Sequence, residues 1–321
     1  MAQQHAHDVT TPSSAASSNL VLNMTRVLVL GAGELGLAIL NALTQHPAKP
    51  AISVLLRSSD SPDRGRLVQT LGKLGVAPIY AELTSPDLHT HLAGYDIVIS
   101  ATGFAAGPGT QRHICDAAIR AGVPWLIPWQ FGVDYDKIGR GSSPPLFDEQ
   151  LDVRDALRAQ AGTRWTIIST GIFTSFLFDE AFGVVQRLGE GKVKVTALGA
   201  WENKVTMTSA EDIGRLTAGI VLDAAADGGT SGVEYIAGDT TTFEGLAKAL
   251  EDVGWDIQRE LLEERELQLA REKRPDDVGP KYQSIWARNV GVAWDVRDTW
   301  NGCRGIEVQS MRAWISTNYM P

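Results

Sequence analysis

Short apolar runs alternate with amphipathic stretches from Thr25 to about residue 170. Six runs have the length and composition of buried strands: RVLVL (26–30), ISVLLR (52–57), VAPIY (76–80), DIVISA (96–101), VPWLIP (123–128) and RWTIIS (164–169). Between them, apolar residues recur at helical spacing, as in Leu35, Ile39 and Leu43. This alternation predicts an α/β fold with a doubly wound parallel sheet of the Rossmann type.

The pattern becomes irregular after Gly171. We predict a helix over 176–188, strands in KVKVTALG and NKVTMT, and a helix that opens at Ser209. VEYIAG follows, then a helix after Thr241 whose spacing to Glu244 fits a capping box, and a charged helix over about 257–273. Because no linker separates this half, we expect a smaller C-terminal lobe over the carboxyl edge of the sheet.

Composition narrows the class of protein. The chain has 321 residues, 44% of them hydrophobic and 21% charged, and a net charge of -9 without a basic block, which argues against nucleic-acid binding. Two distant cysteines suit neither a metal site nor a redox pair and indicate a reducing compartment, so we expect a cytoplasmic protein. The sequence contains no apolar run of about 18 residues, so it predicts no membrane-spanning helix.

One glycine motif lies directly between the first predicted strand and the first predicted helix. It reads Gly31-x-Gly33-x-x-Gly36, with Glu34 and Leu35 opening the helix. The first glycine permits a tight turn, the second lets a pyrophosphate approach the backbone, and the third lets helix and strand pack closely. In this context the motif predicts dinucleotide binding, with the phosphates at the helix N-terminus.

The end of the second strand bears on which dinucleotide is bound. Arg57 lies 21 residues after Gly36, where an acidic residue would bind the ribose of NAD. A guanidinium suits the extra phosphate of NADP, and Ser58, Ser59 and Arg64 could add donors. We therefore predict NADP (NADPH) rather than NAD; the alternative is that Arg57 is a solvated surface residue.

The reactive end of a cofactor in such a sheet lies beyond the carboxyl ends of the later strands. Three segments leave those strands, each combining small and aromatic residues that suit a flat ring: Thr102-Gly103-Phe104, Trp129-Gln130-Phe131 and Gly171-Ile172-Phe173. We predict that they contact the cofactor. The alternative is that their aromatic side chains only cover the edge of the sheet.

Five segments together carry a resemblance: GAGELG, PWQFGVDYD, FDEQLDVRDAL, TIISTGIFTSFL and KYQSIWARNVGVAWD. With them the chain resembles the NmrA-like, isoflavone reductase-like branch of the atypical short-chain dehydrogenases, and most closely its fungal members. The resemblance implies a reductase and a late segment with Lys281, Tyr282, Trp286 and Trp294 that helps to close the pocket. Two departures are a shorter glycine loop and Gln150 at the position of the family's catalytic lysine.

These observations lead to a domain division and two functional hypotheses. We expect a disordered tail (1–24), an NAD(P)-binding Rossmann domain (25–170) and a substrate-binding lobe interleaved with it (171–321). The first hypothesis is an NADPH-dependent reductase of a carbonyl, imine or conjugated double bond in a small aromatic secondary metabolite. Gln150 and Gln130 would orient the substrate, and Tyr135 or water would supply a proton.

The second hypothesis is a dinucleotide-sensing regulator without turnover, which the missing lysine favours. In either case we expect a small-molecule ligand, no metal site, no nucleic-acid or membrane partner, and a monomer or homodimer.

Overall fold

The computed structural model describes residues 24–58, 63–104, 107–142, 145–223, 231–274 and 277–321. The predicted tail, apart from Met24, and the candidate residue Ser59 lie outside these ranges. Thirteen strands are formed within them: Arg26–Leu30 (β1), Ala51–Leu56 (β2), Ala77–Tyr80 (β3), Ile97–Ser100 (β4), Trp125–Ile127 (β5), Arg164–Ser169 (β6), Ile172–Phe173 (β7), Val185–Gly189 (β8), Lys192–Leu198 (β9), Lys204–Thr208 (β10), Gly232–Tyr235 (β11), Asp239–Thr242 (β12) and Asp256–Leu262 (β13).

The same ranges contain thirteen α-helices and one 3-10 helix (Val296–Asp298). The α-helices are Glu34–Gln45 (α1), Asp63–Leu74 (α2), Leu88–Leu92 (α3), Thr110–Arg120 (α4), Tyr135–Ile138 (α5), Pro145–Arg158 (α6), Thr174–Leu177 (α7), Ala210–Leu222 (α8), Phe243–Glu251 (α9), Glu264–Lys273 (α10), Val278–Ala287 (α11), Trp300–Cys303 (α12) and Met311–Asn318 (α13). None of these helices is both long and apolar enough to cross a bilayer.

The main sheet has seven parallel strands in the order β11-β6-β5-β4-β1-β2-β3. Within β1, Val27 and Val29 pack on one face with α1 and α8, whereas Leu28 and Leu30 pack on the other with α3, α4 and α6. A strand that is buried on both faces has a continuous apolar sequence, which is why the six apolar runs identified six strands of this sheet. The doubly wound fold is confirmed, and β11 adds a seventh strand from the second half.

Two smaller sheets occupy the C-terminal half, in the orders β12-β10-β7 and β13-β9-β8. Their residues form a third hydrophobic core that also includes Tyr135 and Phe147 from the first half. Ser209 caps α8 as predicted, because its hydroxyl accepts a hydrogen bond from the Asp212 N–H at 3.2 Å.

Three predictions in this half are wrong. The helix expected over 176–188 ends at Leu177, and Val185–Gly189 instead forms β8, because Gly183 adopts a positive φ of 83° and β9 offers a strand partner. The first part of the expected charged helix is β13, which pairs in parallel with β9. The cap of α9 is Thr242, whose hydroxyl accepts from the Gly245 N–H at 2.9 Å, while Glu244 pairs with Arg259.

Candidate active site

The glycine loop joins β1 to α1 in the geometry that the motif requires. Gly31 has φ +93°, which disfavours any side chain, and a Cβ at Gly36 would lie 2.3 Å from the Gly31 carbonyl oxygen. A Cβ at Gly33 would meet no atom within 4 Å, so the backbone there is open. Helix α1 begins directly after this open position, which leaves its first N–H groups available to an anion.

A cavity of about 570 Å³ opens beside the loop; we call it the glycine-loop cavity. Its lining is formed by Gly31, Ala32, Gly33, Leu55, Leu56, Arg57, Ser58, Arg64, Glu82, Leu83, Ala101 and Thr102. The Arg64 guanidinium lies 4.7 Å from the centre of the Tyr80 ring, which holds this cation over the end of β3. Two arginines and a serine next to an open glycine backbone are donors of the kind that bind phosphates, so these residues fit a dinucleotide.

A second cavity, also of about 570 Å³, includes Glu34, the residue directly after Gly33, in its lining; we call it the aromatic cavity. Its lining is formed by Glu34, Phe104, Trp129, Phe131, Gly132, Val133, Tyr135, Phe147, Gly171, Ile172, Phe173, Phe176, Ala181, Phe182, Gly279, Tyr282 and Trp286. Trp129 is central, with ring centroids at 6.3 Å from Phe104, 5.9 Å from Phe131 and 6.2 Å from Phe173. The three segments predicted to leave β4, β5 and β6 therefore meet around one indole ring.

The predicted cofactor residues divide between these cavities. Thr102 lines the glycine-loop cavity, and Gln111 fixes this segment because its Nε2 donates to Thr102 Oγ1 at 3.1 Å and to the Gly103 oxygen at 2.7 Å. Glu34, which is also among the predicted cofactor residues, lines the aromatic cavity. Leu35 packs in the core at 3% exposure, so a ligand contact through its side chain is excluded in this structure.

Tyr135 opens α5 and is a polar wall of the aromatic cavity. Its hydroxyl lies beside Gly132, where a Cβ would come within 3.0 Å of it, and its ring meets Phe147 edge-on with centroids 5.0 Å apart. Burial raises the pKa of this phenol, with a further rise from Tyr282, and the nearby Arg154 guanidinium only partly opposes that. The hydroxyl therefore stays protonated at neutral pH and can donate a hydrogen bond.

Gln130 belongs to a buried polar network behind Tyr135. Its Nε2 donates to the main-chain oxygen of Gln150 at 2.8 Å, and its Oε1 accepts from Arg154 Nε at 2.7 Å. Arg154 is fully buried and also donates from Nη1 to Asp136 Oδ2 at 2.6 Å, where Arg158 forms a second pair. Gln130 is thus occupied within the protein and does not line the cavity, which disagrees with its predicted contact to substrate.

Gln150 lies in α6, one turn after the cavity residue Phe147. Its side chain is 0% exposed, and neither Oε1 nor Nε2 has a hydrogen-bond partner among the described residues. The sequence predicted a buried amide here, and the structure leaves that amide unsatisfied and outside the lining of the aromatic cavity. Its predicted role in orienting a substrate therefore stays a prediction.

Sequence reasoning missed several walls of the aromatic cavity. Phe176 and Phe182 stack with centroids 4.8 Å apart, whereas the sequence predicted both on one continuous helix, which ends at Leu177. Phe147 could have been found, because it lies one helical turn before Gln150. Of the four late residues that the resemblance implied, Tyr282 and Trp286 line the cavity, whereas Lys281 and Trp294 do not.

Comparisons with known proteins agree with this architecture. The model of the NmrA-like family matches residues 23–268. An NmrA-like family domain-containing oxidoreductase of Gibberella moniliformis is 42% identical over 302 residues, which cover 90% of this chain and 96% of the relative.

Among solved structures, isoflavone reductase has a TM-score of 0.74 at 17% identity, with 92% of this chain and 99% of that chain covered. The binary complex of leucoanthocyanidin reductase with NADPH from Vitis vinifera has a TM-score of 0.67 at 19% identity, with 92% and 94% covered. These relatives carry the names of oxidoreductases, in agreement with the predicted enzyme class. The resemblance seen in the sequence is confirmed, and the chain belongs to the NmrA-like family.

Proposed function

We propose that the protein is an NADPH-dependent reductase that reduces a carbonyl, imine or conjugated double bond in a small aromatic molecule. The observation that carries this proposal is that consecutive residues at the glycine loop line two cavities of opposite character, Gly31 to Gly33 one cavity and Glu34 the other. The glycine-loop cavity offers two guanidinium groups and open backbone, and the aromatic cavity offers flat apolar walls. A dinucleotide bound across such a loop would have its phosphates at one cavity and its ring at the other.

The residues of the glycine loop and of the two cavities have separate roles in this proposal. The N-terminus of α1 and the open backbone at Gly33 hold the pyrophosphate, while Arg57, Ser58 and Arg64 bind the 2′-phosphate. NADPH supplies the hydride when it is bound. The aromatic cavity orients a planar acceptor and excludes water.

Tyr135 is the proton donor that we propose for acceptors that need one. It lines the aromatic cavity, and its raised pKa keeps the hydroxyl neutral, so that it can donate a hydrogen bond to an oxygen that gains charge. Replacing Tyr135 by Phe should lower turnover of a carbonyl acceptor and leave NADPH binding unchanged.

NADPH as the cofactor is supported by Arg57 and Arg64 in the cavity, and by the leucoanthocyanidin reductase structure with NADPH. The names of the relatives leave the substrate open. The test measures binding of NADPH and NADH by fluorescence, with wild type, Arg57→Ala and the control Lys73→Ala. Lys73 is an exposed cation of α2 that does not line the glycine-loop cavity.

We expect Arg57→Ala to weaken NADPH about tenfold or more, since a charge-assisted contact contributes about 1.5–3 kcal/mol, and to leave NADH nearly unchanged. Equal weakening of both dinucleotides would refute the 2′-phosphate assignment. NADPH binding without oxidation by any carbonyl, imine or enone would favour the sensing function instead.

A further inference from the structure

The charge inside the aromatic cavity is unevenly distributed. Among its described lining residues, Glu34 carries the only formal charge, and the rest are apolar, aromatic or glycine side chains. Glu34 is exposed at the first position of α1, yet it does not line the glycine-loop cavity. Glu34 is therefore the one charged residue, among the described lining residues, that a ligand in the aromatic cavity would meet.

We propose that this site selects a cationic aromatic acceptor, an iminium ion, over neutral and anionic ones. This inference rests on the proposed reductase function and names its substrate class.

The aromatic rings support a cation, because ring faces attract positive charge within about 6 Å of their centroids. Trp129, Phe104, Phe131 and Phe173 all line the cavity and contact one another at centroid distances of 5.9–6.3 Å, so a ligand there is surrounded by aromatic rings. An anion entering the same space would lose its hydration and meet only Glu34, so it would be rejected.

The buried cation behind the Tyr135 ring does not alter this balance. The Arg154 guanidinium lies 5.5 Å from the Tyr135 ring centroid, but it is fully buried and its Nη1 is 2.6 Å from Asp136 Oδ2. Asp136 neutralises it locally. The net charge of the chain, -9, also favours the approach of cations over anions.

An iminium acceptor needs no proton, so its reduction does not depend on the Tyr135 or Tyr282 hydroxyl in the cavity lining. The iminium carbon takes a hydride with its electron pair from the reduced nicotinamide, and the C=N π pair becomes a lone pair on nitrogen. The product is a neutral amine, the nicotinamide leaves oxidised with the positive charge, and no proton is taken up. Tyr135→Phe should therefore lower carbonyl reduction more than iminium reduction.

The test compares three bicyclic probes of similar size: the N-methyl-dihydroisoquinolinium cation, neutral tetralone and a tetralin carboxylate. Their binding to the full chain saturated with tetrahydro-NADP, a non-reducing analogue whose nicotinamide ring is uncharged as in NADPH, is followed by quenching of tryptophan fluorescence, since Trp129 and Trp286 line the cavity. The variant is Glu34→Gln, and the matched control is Glu211→Gln, which removes an exposed first-turn acid from α8.

We expect wild type to bind the cation about fivefold or more tightly than tetralone, in line with one partly exposed ion pair, and the carboxylate most weakly. Glu34→Gln should reduce the preference to less than about twofold, with tetrahydro-NADP affinity measured in parallel, and Glu211→Gln should retain it. Equal or weaker binding of the cation, or a preference that survives Glu34→Gln, overturns the inference. Absence of NADPH oxidation with every acceptor, beside an intact cation preference, would instead refute the proposed reductase.

Discussion

Two buried glutamines, Gln130 and Gln150, provide a direct test of the buried-amide argument. Both side chains are 0% exposed, and they lie close together, because Gln130 Nε2 donates to the Gln150 main-chain oxygen at 2.8 Å. They differ in hydrogen bonding: Oε1 and Nε2 of Gln130 are both paired, whereas neither Oε1 nor Nε2 of Gln150 has a partner among the described residues. Replacing each by leucine should therefore change stability in opposite directions.

The magnitudes follow from what each substitution removes. Gln150→Leu loses no hydrogen bond and relieves a buried amide, so the free energy of unfolding should rise by about 1–3 kcal/mol. Gln130→Leu removes the acceptor 2.7 Å from Arg154 Nε, so that Nε joins Nη2 as a donor of this buried cation without a partner among the described residues. The free energy of unfolding should therefore fall by about 2–4 kcal/mol.

Urea unfolding, followed by far-UV circular dichroism and by tryptophan fluorescence, gives both values. Coincident transitions from the two probes would establish the two-state behaviour that the free energies require. The midpoint should shift upward for Gln150→Leu and downward for Gln130→Leu, with the slope m unchanged in both.

Destabilisation of Gln150→Leu to the same extent as Gln130→Leu would refute the reasoning, because it would mean that the Gln150 amide has a partner such as a buried water. NADPH affinity should not change in Gln150→Leu, since the side chain lines neither cavity. Turnover of this variant tests the separate, sequence-based role: that role requires turnover to fall while stability rises, and unchanged turnover would leave Gln150 a structural residue.

Three further predictions concern the network behind Tyr135 and the thiols. The Arg158 guanidinium and, to a lesser extent, Arg154 lower the pKa of Asp136 from 3.8 to about 2. The ionised Asp136 therefore stabilises the fold above about pH 4, and this contribution is lost as the pH falls towards 2. Asp136→Asn should make the urea midpoint decline less steeply at acid pH. Arg154→Met should cost about 3–5 kcal/mol by leaving Asp136 and Gln130 without their buried partner, whereas exposed Arg158→Met should cost about 1 kcal/mol or less in the same assay. Burial raises the pKa of Cys115 to about 12, so native protein should titrate one thiol, exposed Cys303, with a chromogenic disulfide and two in denaturant; two in the native state would contradict the packing.

The sequence predicted the main sheet well because its information there is local. Continuous apolar runs identify strands that are buried on both faces, and the glycine spacing identifies the β1–α1 turn. The seventh strand depends on long-range pairing: β11 joins β6 after a separation of more than sixty residues, which no local pattern encodes. For the same reason, the charged sequence of β13 predicted a helix, because its parallel pairing with β9 is a long-range contact.

The site divides in a similar way. Residues that directly follow predicted strands, such as Trp129 and Phe173, could be assigned to the carboxyl edge from the topology alone. Phe176 and Phe182 could not, because their position depends on a chain reversal around Gly183 and on packing against Trp286. The hydrogen bonds of the buried amides could not be predicted from the sequence either. Gln130 and Gln150 are the same residue type and equally buried, and only the fold shows which side-chain amide is paired.

The polar groups near the aromatic cavity separate into those that build its wall and those that face its interior. Arg154 connects Gln130 after β5 with Asp136 of α5, and its guanidinium lies 5.5 Å from the Tyr135 ring, so this network fixes the backbone and ring on which the Tyr135 hydroxyl is carried. A buried network in this place holds the hydroxyl rigidly but offers no charge to a ligand. In the proposed function, proton donation and charge selection fall to two different residues, Tyr135 and Glu34, and single substitutions can separate them: Tyr135→Phe should discriminate acceptors by their need for a proton, and Glu34→Gln by their charge.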